Sequence, residues 1–360
     1  MDVTKIMKMS IVFLFIFLKC QYGYSSSQKL PQDFVKSVSK MYKIPYEFNL
    51  SAGGKEFREQ HFKLNHYPII MIPGNKRTKM DWLGENPGNA KGNVNVYKKL
   101  LQAGFLPQEL WLYQYTKKGK EMRNIEELTD GLKWFIYSIL WYTHSNKVQI
   151  LAHGEGAILA QATIKKYHLF NLIHAVVYIA GPFHGSEKYT YIKALRGSPV
   201  CTNLAIGSDF LQDLLLPDET PYNIFENENT NEIGIKYMTI SNGLLYGDKY
   251  FQENPDSPIL LGAKNYKLNY LDHDGLRCDE ASSNLFIPFL SDKAIKYNPK
   301  YDKDKDGFTD VKYGGIDCND NNPSIFPGAP EIPEDNIDQN CNQMDLLKTM
   351  GKDCLEPINK

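Results

Sequence analysis

The stretch VQILAHGEGAILAQ, residues 148–161, decides the fold. Lys147 to His153 (KVQILAH) form a short, mostly apolar run that ends at a glycine, which reads as a strand. A glycine-bracketed turn follows, and Ala157 to Tyr167 read as a helix. The turn is centred on Gly154, with His153 before it and Glu155 after it. Small residues, Ala152 and Gly156, stand on either side, as a sharp turn crowded against its own helix requires. Working outward, the runs Tyr67–Asn75 (YPIIMIPGN), Glu109–Tyr115 (ELWLYQY), His174–Pro182 (HAVVYIAGP) and Ile235–Asn242 (IKYMTISN) read as further strands. Helical patterns over Val94–Ala103 and over 125–144 lie between them. Strands alternate with helices, and the strand runs are apolar on both faces. The expected fold is α/β, a mostly parallel sheet covered by helices on both sides.

A strand, a sharp turn and a helix are also the setting in which G-x-S-x-G presents a nucleophilic serine. The order of several segments here resembles the secreted bacterial triacylglycerol lipases and polyester depolymerases of the α/β-hydrolase superfamily. AHGEG resembles their AHSMG-like turn, with glycine in place of serine. IIMIPGN resembles the loop that supplies one oxyanion amide, YIAGPFHGS a strand-loop segment, and SPILLGAKNYKLNYLDHDGL the segment that delivers the catalytic histidine. The resemblance spans residues 64–290. It implies His273 as the triad histidine and Asp248 as the acid, with Asp256 and Asp272 as alternatives. It implies backbone amides at Asn75 and Glu155 as oxyanion donors, and Gly154 at the nucleophile position. Glycine has no atom with which to attack a carbonyl, so His273 is left at best with a water to activate. A carboxylate at Glu155 would repel developing negative charge. Ser186 lies beyond a different strand. The long stretch 186–232 carries YTYIKAL and DFLQDLLL, both amphipathic, and reads as a candidate lid or as ordinary packing.

From Asn298 the chain turns acidic and rich in Asn and Pro. In DKDKDGFTD, Asp302, Asp304 and Asp306 alternate, Gly307 permits a tight turn, Phe308 offers a carbonyl and Asp310 follows. That is the opening of a calcium loop, although Tyr313 stands where an EF-hand has glutamate. The following segment resembles a bacterial metal-binding repeat of extracellular proteins, whose oxygen-bearing positions are Asp317, Asp320, Asn322, Asp338 and Asn340. Oxygen ligands favour Ca2+ over copper. The alternative is a solvated acidic linker.

The N-terminus reads as an export signal over residues 1–24. Lys5 and Lys8 precede the apolar run Ile11–Leu18, which is too short to span a bilayer. Cys20 is either a lipidation site or is discarded with the signal. The protein is thus expected to be secreted or held at the cell surface or outer membrane as a lipoprotein, and any membrane contact would run through Cys20. In an oxidising compartment Cys201 with Cys278, and Cys318 with Cys341, are candidate bridges. The expected organisation is a signal, an α/β-hydrolase-like domain over 28–292 and a calcium-binding repeat over 300–345. A formal net charge of -1 gives no field for nucleic acid or acidic membranes, and no P-loop, G-x-G-x-x-G or H-E-x-x-H motif occurs. Three readings fit: an impaired lipase-like binder of an apolar or ester-type ligand, an active esterase of unusual mechanism, or a surface protein using the fold as scaffold.

Overall fold

The computed structural model describes residues 29–42, 48, 50–55, 64–115, 123–196, 198–223, 234–347 and 354–357. The proposed export signal and Cys20 lie outside the described residues. A seven-stranded sheet runs in the order β1-β3-β2-β4-β5-β6-β7. Its strands are β1 (Ala52–Gly53), β2 (Ile69–Ile72), β3 (Leu110–Leu112), β4 (Val148–His153), β5 (Ile173–Ile179), β6 (Lys236–Ser241) and β7 (Lys264–Lys267). Every pairing is parallel except the edge pair of β1 with β3. The five strands read from the sequence are all present. The two edge strands were not legible: β1 has two residues, and β7 (KNYK) has no apolar run and is mostly exposed.

The helices of five or more residues are α1 (Gln32–Tyr42), α2 (Val96–Gln102), α3 (Ile125–Thr143), α4 (Glu155–Lys166), α5 (Glu187–Arg196), α6 (Pro199–Asn203), α7 (Asp209–Leu215) and α8 (Glu280–Leu290) among the described residues. Asn124 accepts a bond from the Glu126 amide to start α3, and His144 ends it at a φ of 50°. Helices α3 and α4 cover one face of the sheet and bury Phe135, Ile139, Ile158 and Leu159 there. Helices α2 and α8 cover the other face with Val96, Leu100, Phe286 and Leu290. The segment before β1, with no chemistry evident in its sequence, adds Phe34, Val38 and Tyr42 of α1 to the α3 side of the core. Among the described residues no helix is long and apolar enough to cross a membrane.

The acidic tail is packed against this domain. Phe308, Ile316, Phe326 and Ala329 belong to the same buried cluster as α3. Tyr42 Oη donates to the Pro327 carbonyl, His144 Nδ1 lies 2.9 Å from the Gly307 carbonyl, and Asn146 Nδ2 donates to that of Gly314. Composition alone gave the tail no core of its own, and it borrows one from the domain. Cys318 and Cys341 are bridged across it.

The expected bridge between Cys201 and Cys278 is corrected. Both are free, buried thiols. Cys201 packs in the α3-side core, whereas Cys278 Sγ lies against the Pro87 and Asp274 carbonyls, so the two do not meet. Burial pushes both thiols above their ordinary pKa.

Candidate functional site

The turn after β4 places Gly154 at φ 56° and ψ -127°, a region L side chains enter only under strain. Its flanks are small for a visible reason. A Cβ at Gly156 would come within 2.5 Å of the Pro73 carbonyl oxygen. At Gly154, by contrast, an added Cβ would sit 3.4 Å from His273 Nε2, in ordinary contact.

His273 arrives on the loop after β7, and its Nδ1 lies 2.9 Å from Asp248 Oδ2. Both side chains are buried. The other oxygen of Asp248 accepts the Tyr250 amide, which fixes the carboxylate. The two alternative acids are engaged elsewhere. Asp256 pairs with Lys267, and Asp272 accepts the amides of Asn89 and Gly275. Ser186 is also remote in function, since its hydroxyl donates to the Tyr250 carbonyl.

His153 is a second imidazole, 4.6 Å from that of His273 between ring centroids. Burial first, then the neighbouring His273 and Arg277, hold its pKa well below the ordinary value, so it is neutral. Its Nε2 is 2.9 Å from the His273 carbonyl, which can only accept, so the proton is on Nε2. Nδ1 is then an unprotonated acceptor, buried with no partner among the described residues.

Glu155 belongs to the wall of the cavity. Its side chain is buried, with Tyr115 Oη donating to it at 3.4 Å. Burial raises its pKa to about 7 against the opposing pull of the Asn75 and Tyr115 hydrogen bonds and Lys76. Near neutral pH much of it carries no charge, so the repulsion argued from sequence is weakened. Asn75 and Glu155 both line the cavity at Gly154. Neither backbone amide has a backbone or side-chain acceptor among the described residues.

That cavity offers about 20 Å³ to the centre of a water molecule and is lined by Gly74, Asn75, Gly154, Tyr189, Tyr250 and His273 among others. Tyr250 lies over His273 with centroids 4.4 Å apart, and Tyr189 of α5 stacks on Tyr250 at 5.9 Å. Beside it, Arg77 and Lys249 both bind Asp274. Tyr189 falls in the YTYIKAL stretch read as a candidate lid, whereas Tyr250, Arg77 and Lys249 were not singled out in the sequence. The adjacency of Tyr250 to Asp248 was the available signal, but Tyr189 and Arg77 are brought in from distant segments.

In the tail, the carboxylates of Asp302, Asp304 and Asp306 gather, as do those of Asp304, Asp317 and Asp320, each set with ligand atoms within 4.8 Å of one another. Asp302 Oδ1 and the Oδ2 atoms of Asp304, Asp306 and Asp317 are buried with no hydrogen-bond partner. Burial and mutual repulsion push Asp306 up to about 8 and Asp317 up to about 7. Orphaned, crowded carboxylate oxygens fit a cation that binds through oxygen. The other expected oxygen donors also lie in turns of the tail, and Asp304, Asp306 and Asp317 accept backbone amides as they do. Asp310, Asn322, Asp338 and Asn340 each accept a nearby backbone amide, closing turns of the tail.

Residues 66–225 match the lipase (class 2) family. That segment is homologous to the lipase-like α/β-hydrolases. Residues 317–345 match the Cu-binding_MopE family, a metal-binding motif. Among solved structures, lipase B of Aspergillus fumigatus is similar at 15% identity and a TM-score of 0.47, over 64% of this chain and 53% of that one. The chain therefore spans about half of that lipase. The mature lipase BlEst2 of Bacillus licheniformis is similar at 14% identity and a TM-score of 0.46, over 67% of this chain and 97% of that one. No curated protein matches the chain.

Proposed function

We propose that this is an exported, lipase-like protein that binds an apolar, ester-type ligand at the Gly154 cavity and lacks the covalent route of a serine lipase. One observation carries the reading: a buried Asp248–His273 pair at 2.9 Å faces a glycine where the ordinary mechanism needs a hydroxyl. Loss of the serine from such a triad costs roughly six orders of magnitude in kcat. Asn75 and Glu155 act as oxyanion donors through their amides. The match of residues 66–225 to a lipase family supports the ester class of ligand. So does the loop that carries Asp248, which turns Leu244, Leu245 and Tyr246 outward at 47%, 63% and 71% exposure. The cavity is too small for an acyl chain, so α5, which holds Tyr189 against Tyr250, moves aside as a lid when ligand enters.

The tail holds Ca2+ through Asp302, Asp304, Asp306, Asp317 and Asp320. All these donors are carboxylate oxygens, and the sulfurs of Cys318 and Cys341 are tied in a disulfide, so this donor set suits calcium better than copper. The Cys318–Cys341 bridge also supports an oxidising, extracytoplasmic location. The test of the pocket is calorimetric binding of butyl p-nitrophenyl ether, an ester mimic that cannot be cleaved. Saturable binding that is weakened by Tyr189→Ala or Tyr250→Ala supports the reading, and absence of binding sinks it.

A further inference from the structure

We infer that a water molecule at the Gly154 cavity, held by His273 Nε2, attacks the bound ester directly, so that the protein is a slow esterase with no acyl-enzyme intermediate. This rests on the ester-type ligand proposed above. Three observations meet at one point. His273 Nε2 has no hydrogen-bond partner among the described residues, while Nδ1 is held by Asp248. A Cβ at Gly154 would stand 3.4 Å from Nε2, so a hydrogen-bonding atom just beyond that point is within reach of the base. The cavity beside it, about 20 Å³ to a water's centre, has room for about one water.

The chemistry balances without a co-reactant. The water oxygen bonds to the carbonyl carbon as His273 Nε2 takes one of its protons. The carbonyl electron pair moves onto oxygen, where the Asn75 and Glu155 amides receive it. As that pair returns, the bond to the leaving alkoxide breaks, and His273 gives the proton to the departing oxygen. Acid and alcohol leave, and the imidazole is neutral again. Asp248 orients the ring and stabilises its charged form in between. Here glycine is the residue that makes space for the nucleophile. That separates this account from a decayed site, in which a methyl group at 154 would change nothing.

The experiment compares wild type, Gly154→Ala and His273→Gln on p-nitrophenyl acetate, with butyl p-nitrophenyl ether as the binding probe. The expected result is steady hydrolysis by wild type with no burst. The rate should fall at least tenfold in both variants. Thermal unfolding by circular dichroism verifies that Gly154→Ala is folded. If it is not, His273→Gln together with the absence of a burst decides alone. Hydrolysis that survives His273→Gln overturns the inference, as does a folded Gly154→Ala as fast as wild type, or a wild type that binds the ether and does not turn over. A wild type that fails to bind the ether overturns the ligand reading itself.

Discussion

His273 and Gly154 face each other so that Nε2 lies 3.4 Å from where a Cβ at 154 would be, while Asp248 holds the far nitrogen at 2.9 Å. This relationship says what one added side chain would do. A serine at 154 meets no clash, and its hydroxyl would fall beside the base. The left-handed turn would cost about 1–3 kcal/mol of stability. Gly154→Ser is therefore expected to lower the melting temperature by several degrees. It should also gain a burst of product from p-nitrophenyl butyrate and covalent labelling by a fluorophosphonate. Measuring both settles the point: a folded serine variant that neither bursts nor labels means that the amides or the imidazole are out of place.

Glu155 predicts a pH dependence of stability. In the fold its carboxyl is protonated up to about pH 7, and its ordinary value is 4.5. Between those values the native state holds a proton the unfolded chain has lost. Stability from this group therefore falls as pH rises from about 4.5 through about 7, by about 3 kcal/mol in all. Glu155→Gln keeps the shape and removes the titration. Urea unfolding at pH 5 and pH 8 should show the wild type losing more stability between the two than the glutamine variant. Equal losses would mean that the carboxyl is not buried in solution.

Much of this site was legible in the sequence because its parts sit at strand ends with local signatures. Gly154 is marked by the small residues around a tight turn, whereas His273 and Asp248 are implied by the resemblance of their segments to those of the lipases. The five central strands were legible because each is an unbroken apolar run. The lost elements lack that signal. Strand β7 is polar and exposed, and it is a strand only because β6 offers it an edge. Tyr189 and Arg77 reach the cavity through packing of segments far apart in sequence, and no spacing encodes that. The docking of the tail was not legible because Phe308 and Phe326 look too few for a core, and Tyr42 and Tyr137, far away in sequence, complete it.

Gly328 is a point of close approach in that docking. It has a φ of 89°, and a Cβ there would lie 2.7 Å from the Tyr137 ring. Gly328→Ala therefore meets both backbone strain and a buried aromatic on α3. A loss of about 2–4 kcal/mol is expected, within the range for overpacking combined with a disfavoured φ. Chemical denaturation should report this as a lower midpoint for the whole domain. A variant that unfolds only the tail, leaving the main transition unmoved, would show that the two parts are not one cooperative unit.

Cation binding in the tail should therefore be felt in the hydrolase domain. Asp302, Asp306 and Asp317 are buried like charges whose repulsion an ion relieves. The loop they form also carries Phe308 into the core and sets Gly307 beside Trp141 of α3, with Trp141 Nε1 3.3 Å from where a Cβ would be. An ion at 100 times its Kd stabilises the folded state by about 2.7 kcal/mol. Adding EGTA to calcium-loaded protein is expected to lower the main melting transition by several degrees and to shift the tryptophan emission through Trp141. Asp317→Asn removes one ligand and should shrink the response to calcium. The emission and the melting of the domain stay fixed only if the acidic segment is a solvated linker, because a linker has no purchase on α3 through which ion binding could act.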